Sequence, residues 1–198
     1  MREMRQKARQ VTDREIICAM LDGIDTIHLG IHDQPFPYVV PLNFGYEFGD
    51  VLTFYFHCAH RGYKRELLER DPHVCVTASR FIAFENGSVK GHLHDYRSVI
   101  ARGVARRIDP EREAEAFERA HALLLLHNGR SASEVHTTAM RAIELYRIDC
   151  LPEDVTAKAE MPPRRAEEVP LVQREGDGIP LDESHILNDW EDEMKKGV

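Results

Sequence analysis

Apolar residues recur along this chain with two different spacings. Ile16, Ile17, Met20 and Leu21 fall at helical intervals behind Thr12 or Asp13, either of which can cap a helix, and Gly23 ends the run. Short β-rich runs bounded by turn residues follow. Thr26 to His32 is closed by Asp33-Gln34-Pro35. Tyr38 to Tyr46 passes through Glu47-Phe48-Gly49-Asp50 into Val51 to Phe56, and the three together predict an antiparallel meander. Lys64 to Arg70 has the pattern of a short helix stopped by Asp71-Pro72. A strand over His73 to Arg80, a polar loop over Glu85 to Asp95 and a long strand over Tyr96 to Ile108 come next. An amphipathic helix over Glu111 to His127, entered through Asp109-Pro110, and a last strand over Ala142 to Asp149 complete the body. Five or six antiparallel strands with few helices predict a mainly β protein, a closed or partly open barrel.

After Pro152 the pattern changes. Prolines 152, 162, 163, 170 and 180 among many charges predict an irregular arm, so the expected division is a barrel domain over 1–154 and an acidic, proline-rich arm over 155–198. Ile179, Leu181, Ile186, Leu187 and Trp190 are the residues that could anchor the arm on the body or on a second chain.

Charge sharpens this division. Of the net charge of -8, the segment from Pro152 onward carries 13 acidic and 6 basic residues, and the body before it 21 acidic and 20 basic. A near-neutral body offers no broad electrostatic footprint for nucleic acid. An anionic ligand must therefore be held by a local cluster of positive groups. No run of about 18 apolar residues predicts a membrane-spanning helix, and the charged start of the chain is not a secretory signal. Cys18, Cys58, Cys75 and Cys150 are scattered, with no Cys-x-x-Cys pair, which fits reduced thiols in the cytoplasm better than a zinc ribbon or a disulfide framework.

The chemistry concentrates in two stretches. Tyr38-Val39-Val40-Pro41-Leu42-Asn43-Phe44 is an apolar strand. Phe54-Tyr55-Phe56-His57-Cys58-Ala59-His60-Arg61-Gly62-Tyr63-Lys64 is a second strand that ends in a basic loop opening a helix. Gly62 permits close backbone approach, the amides after it are free at a helix start, and Arg61 and Lys64 supply charge. That combination suits a phosphate. His92 with His94, and His57 with His60, have spacings that could share a metal, but no carboxylate or thiolate pattern completes a site, so no metal is expected.

Taken with their flanks, these stretches resemble the pyridoxamine 5'-phosphate oxidase-like superfamily of FMN-binding split barrels, nearest the 5-nitroimidazole-resistance (Nim-type) reductases. The resemblance rests on Val40-Pro41-Leu42-Asn43, on the Phe-x-Phe-His-x-Ala-x-x-Gly-x-Lys segment from Phe54, on Leu67-Leu68-x-x-Asp71-Pro72-x-Val74, and on Tyr96-Arg97-Ser98-Val99-Ile100-x-x-Gly103-x-Ala105. It spans residues 1 to 150 and implies a six-stranded antiparallel split barrel working as a homodimer with its cofactor at the interface. By the resemblance, Val40, Pro41, Leu42 and Asn43 lie along the flavin ring, and Phe56 and His57 line the ring or ribityl chain. Arg61, Gly62, Tyr63 and Lys64 hold the phosphate, and Arg97 and Ser98 touch the cofactor from their strand. It further implies FMN-dependent reduction of a small organic acceptor, such as a nitro-aromatic, by a reduced nicotinamide or deazaflavin donor. The basic residues that the oxidases proper carry on the strand matching Tyr38 to Asn43 are missing, as is their C-terminal arginine and histidine motif, which points away from pyridoxamine phosphate oxidation. His57 stays open between a proton donor at the flavin and a histidine satisfied at a strand end. Haem held by histidine is the alternative cofactor, and a binding protein without catalysis the alternative role.

Overall fold

A computed structural model describes residues 4–83, 94–131, 143–160 and 162–169. The chain forms β1 (Gln10–Val11), α1 (Arg14–Asp22), β2 (Thr26–Ile31), β3 (Tyr38–Asn43), β4 (Gly45–Phe48) and β5 (Leu52–Cys58). There follow α2 (Tyr63–Arg70), β6 (His73–Ala83), β7 (His94–Ile108), α3 (Ala114–His127), β8 (Glu144–Cys150) and β9 (Val155–Ala159). All strands belong to one antiparallel sheet in the order β3-β2-β6-β7-β8-β5-β4, with β9 pairing both β7 and β1.

The expected β-barrel with helices is thus present, and the strand count differs. Among the described residues nine strands stand where six were predicted, because the Tyr38–Tyr46 run breaks at Phe44 and two short strands, β1 and β9, pair with each other. Val155–Ala159, assigned to the arm by composition, is a strand of the sheet, lying against Arg97–Ala101 of β7. Its alternation buries Ala157 and Ala159, a signal too short and too small to stand out beside the prolines and charges that follow. The helix predicted from Glu111 begins at Ala114, since the Asp109 carboxylate accepts hydrogen bonds from the amides of Glu111 (2.9 Å) and Arg112 (3.3 Å) and holds those residues in a turn. Asp13 caps α1 by accepting from the amides of Glu15 and Ile16. Most of the predicted polar loop and the five anchor residues of the arm lie outside the described residues.

The sheet has two faces, and both matter for the site. The inner face carries Ile27, Leu29, Ile31, Val74, Val76, Ala78, Val99, Ala101, Phe54 and Phe56, all buried in one core with α1 and α2. Each such large side chain contributes about 1.5–3 kcal/mol through burial. A smaller cluster of Tyr55, Ile108, Phe117, Ala120 and Leu145 forms where α3 covers the other face of β5 and β8. Alternation along β5 follows: Phe54, Phe56 and Cys58 enter the main core, whereas Tyr55 packs against α3.

Strand β7 is long enough to serve two partners on one edge. Arg97–Ala101 pair with β9 and Val104–Ile108 with β8. Gly103 stands between the two registers, and a Cβ there would lie 2.4 Å from the Asp149 carbonyl oxygen and 2.8 Å from the Cys150 sulfur. β8 can approach β7 this closely where the registers change only because nothing projects from Gly103. Gly103→Ala should therefore cost about 1–3 kcal/mol, as overpacking does. The expected readout is a lower urea midpoint at unchanged m-value; a midpoint equal to that of the parent chain would mean β8 can yield.

Candidate functional site

Four of the predicted residues, Arg61, Gly62, Tyr63 and Lys64, lie together at the start of α2. Gly62 is the residue before the helix and adopts φ 143°, ψ 158°, a conformation that side chains rarely tolerate. No side chain caps this end of α2. The amides of Arg65 and Glu66 bond back to the Gly62 carbonyl, which leaves those of Tyr63 and Lys64 directed out of the helix without such a bond. The Tyr63 hydroxyl donates to Asp33 (2.6 Å) and its ring meets Tyr38 edge-on at 5.6 Å, so the helix start is fastened to both ends of the β2–β3 turn.

Lys64 completes the cradle. Its ammonium lies 5.3 Å from the centre of the Phe56 ring and is half-buried. Burial pushes its pKa down, and no carboxylate among the described residues pairs with it. A cation held this way is short of a counter-charge. Arg61 is exposed beside it on the loop.

The remaining predicted residues divide by strand face. On β3, Val40 and Leu42 pack inward on the core, whereas Val39, Pro41 and Asn43 face out. β3 ends the sheet path, so among the described residues no strand pairs its second edge, and backbone polar groups there are open to a ligand. Asn43 donates to the Asn128 side chain at 3.0 Å, and Asn128 in turn donates to the carbonyls of Phe44 and Leu124. Phe56 is fully buried and stacked on Tyr146 at 5.2 Å, so it reaches the site only as the floor beneath Lys64.

Arg97 and Ser98 are adjacent and therefore point to opposite faces. Arg97 is buried on the inner face beside Val99, and Ser98 lies on the outer one. The cross-sheet row Pro41, His28, Thr77, Ile100 shows that β3 and β7 are three strand spacings apart. That is about 14 Å. Within one chain, Ser98 and the strand at Pro41 do not meet.

His57 projects from the α3 side of β5, opposite Phe56, with Lys64 and His121 of α3 as its charged or titratable neighbours. Its side chain is exposed by area. Lost hydration, and then the Lys64 ammonium, hold its pKa below the usual imidazole range. His121 was not singled out by sequence, because one histidine on a helix face carries no signal. It is 7% exposed, its Nδ1 has no hydrogen-bond partner among the described residues, and burial followed by His57 lowers its pKa. Also unforeseen was Glu144, a buried carboxylate that approaches Arg65, His60 and Arg107. Among the described residues no three His, Cys, Asp or Glu side chains converge as a metal site, and no helix is long and apolar enough to cross a membrane.

The outer face of β2, β6 and β7 bears an open groove of about 640 Å³ along Gly30, His32, His73, Cys75, Arg102 and Val104. Exposed Val39, Ile100 and Val104 lie on the same face.

An antiparallel split barrel defines the class of fold, and proteins of known structure share it. The sequence profile of the pyridoxamine 5'-phosphate oxidase family matches residues 13–159, and the chain belongs to that family. Its members are flavin-binding proteins of oxidoreductase type. No curated protein matches the chain. Solved structures of similar fold include a candidate 5-nitroimidazole antibiotic resistance protein from Bacteroides thetaiotaomicron, 26% identical with a TM-score of 0.60 over 76% of this chain and 86% of that one. The flavocytochrome Anf3 from Azotobacter vinelandii is 24% identical, with a TM-score of 0.57 over 84% and 77%. An FAD- and haem-binding protein from Mycobacterium smegmatis is 18% identical, with a TM-score of 0.59 over 90% and 96%.

The two lowered histidines imply a pH dependence with a definite sign. In the folded chain both take up protons at lower pH than in the unfolded chain, whose imidazoles titrate near 6.5. Below about 6.5 the unfolded state binds more protons, so stability should fall as pH drops from there through the folded values, and be flat above. Unfolding free energies at about pH 7.5 and about pH 5 check this. His121→Phe should flatten the slope, and stability rising toward acid would contradict the assignment.

Proposed function

We propose that the protein binds FMN, with the phosphate at Gly62–Lys64, and works as a flavin-dependent oxidoreductase. The observation that carries this reading is the half-buried Lys64 ammonium, which has no carboxylate partner among the described residues and belongs to the helix turn that leaves the amides of Tyr63 and Lys64 without a helical bond. A phosphate accepts from all three donors, and Arg61 adds a fourth at the rim. The open edge of β3 between Val40 and Asn43 then offers backbone groups to the polar edge of the flavin ring. FMN bound there supplies hydride and electron transfer between a reduced nicotinamide or deazaflavin donor and a small organic acceptor such as a nitro-aromatic. His57, kept neutral by its surroundings, can lend or take a proton beside Lys64. The four free thiols fit a cytoplasmic protein.

Titration with FMN, riboflavin and FAD, followed by flavin absorbance, tests the cradle. FMN should bind most tightly, and Lys64→Ala should weaken it by about 1.5–3 kcal/mol, the range for a hydrogen bond to a charged group. Equal affinity for FMN and riboflavin would remove the phosphate argument, and a Soret band in place of flavin bands would transfer the site to haem.

The reading includes a homodimer. Ser98 and β3 stand three strand spacings apart within one chain, and a second copy docked on the outer sheet face could bring its own Ser98 closer to β3. The exposed Val39, Ile100 and Val104 give that face the apolar surface a two-fold contact needs. Light scattering at micromolar concentration should return twice the 22.8 kDa chain mass; the mass of one chain would rule the dimer out.

A further inference from the structure

Near the start of α2 a buried carboxylate lies among two arginines and a histidine. Glu144 is the first residue of β8, pairs with Cys58 at the end of β5, and is 6% exposed. Its Oε2 lies 3.2 Å from Arg65 Nε, and its Oε1 lies 3.6 Å from both His60 Nδ1 and Arg107. Arg65 spreads its other two nitrogens in different directions. One donates to the His60 carbonyl at 2.6 Å, and the other pairs with Glu69 at 2.9 Å along α2. The guanidinium thus joins three things: the first turn of α2, the backbone of the loop before it, and the β5–β8 pair beneath. His60 is two residues before Gly62, whose unusual backbone sets where the free amides point.

We propose that Glu144 is a positioning residue for the anion cradle, acting through Arg65 to hold the His60–Gly62 loop and the amides of Tyr63 and Lys64 in place. This rests on the reading of Gly62–Lys64 as a phosphate site. A planar guanidinium with donors in fixed directions can brace three elements at once; an ammonium on a flexible stem cannot. The carboxylate is needed because the guanidinium must be held at the edge of a sheet that buries its partner, and a lone buried charge there would be costly. The pair has a feature that links it to the ligand state. Arg65 Nε and Glu144 Oε2 are both buried and close, yet neither completes a well-aligned hydrogen bond. A small shift of the loop toward a bound phosphate is what would align them.

Charge alone predicts the opposite of positioning, so the sign of one measurement decides. Glu144 is an anion near an anion site, and if it acted only through its field, neutralising it would tighten FMN. If it positions the loop, Glu144→Gln should weaken FMN about ten-fold, a size typical of coupled neighbours. Riboflavin, which lacks the phosphate, should change by less than about two-fold. Arg65→Lys keeps the charge and loses the brace, so it should show the same split, and the double variant should bind FMN no worse than the weaker single one. All titrations use the full chain. FMN binding that is unchanged or tighter in Glu144→Gln overturns the proposal, as does equal loss of both flavins, which would mean general loosening. If the parent chain already fails to prefer FMN over riboflavin, the phosphate reading falls and takes this one with it. A parent that prefers FMN beside variants that keep the preference overturns the positioning role alone. Should Glu144→Gln fail to fold, Arg65→Lys carries the same comparison.

Discussion

β7 divides its pairing between two strands along a single edge, and the layout of the sheet around it follows that division. One strand of fifteen residues gives one edge first to β9 and then to β8, and the two registers part at Gly103 against the Asp149 carbonyl. β8, β5 and β4 follow on that edge of β7 and β6, β2 and β3 on the other, in an antiparallel half-barrel. β3 and β4 are joined through Phe44 alone, yet they end opposite sides of the sheet path. Among the described residues no strand pairs the second edge of β3. An unpaired edge is a hazard in most proteins, and here it borders the proposed ligand site.

The same layout sets the electrostatics of the site. β5 ends beside α2, so Lys64 is drawn over Phe56 and loses part of its hydration, while the carboxylates that could neutralise it are engaged elsewhere. Asp33 takes the Tyr63 hydroxyl and Arg70, and Glu144 takes Arg65 and His60. The acidic groups near α2 thus hold its ends and its loop, and the cationic front stays open. A near-neutral body can in this way present a local anion site, because burial and pairing, more than net charge, decide which charges are left over.

His57 and Phe56 show how strand alternation distributes roles. Neighbours in sequence, they enter different layers: one lies under Lys64 in the main core, the other faces α3 beside His121. Arg97 and Ser98 repeat the pattern on β7. A motif read as a continuous string treats such residues as a single lining, whereas the pleat allows only alternate ones to share a surface. The backbone contacts proposed for β3 escape this limit, since edge groups lie in the plane of the sheet.

Much of this protein was legible along the chain because its signals are local. The Asp13 cap, the alternation of β2 and β6, the stop at Asp71-Pro72 and the Gly62-x-Lys64 helix start depend on residues a few positions apart, and the family resemblance is carried by the same segments. What escaped was set by distance in sequence. β9 was hidden because five short residues among prolines become a strand only when β7 offers an edge. Glu144 and Arg65 are unremarkable charges until β8 is laid against β5, and His121 is one helix residue until α3 folds over His57. Most helices and strands of the body and the basic start of α2 could be read along the chain, since capping, turn chemistry and side-chain charge act over one or two turns. Tertiary structure alone decided which face each residue presents, which carboxylates are consumed in pairs and which cation remains without one, because burial and partner geometry arise only when distant strands meet.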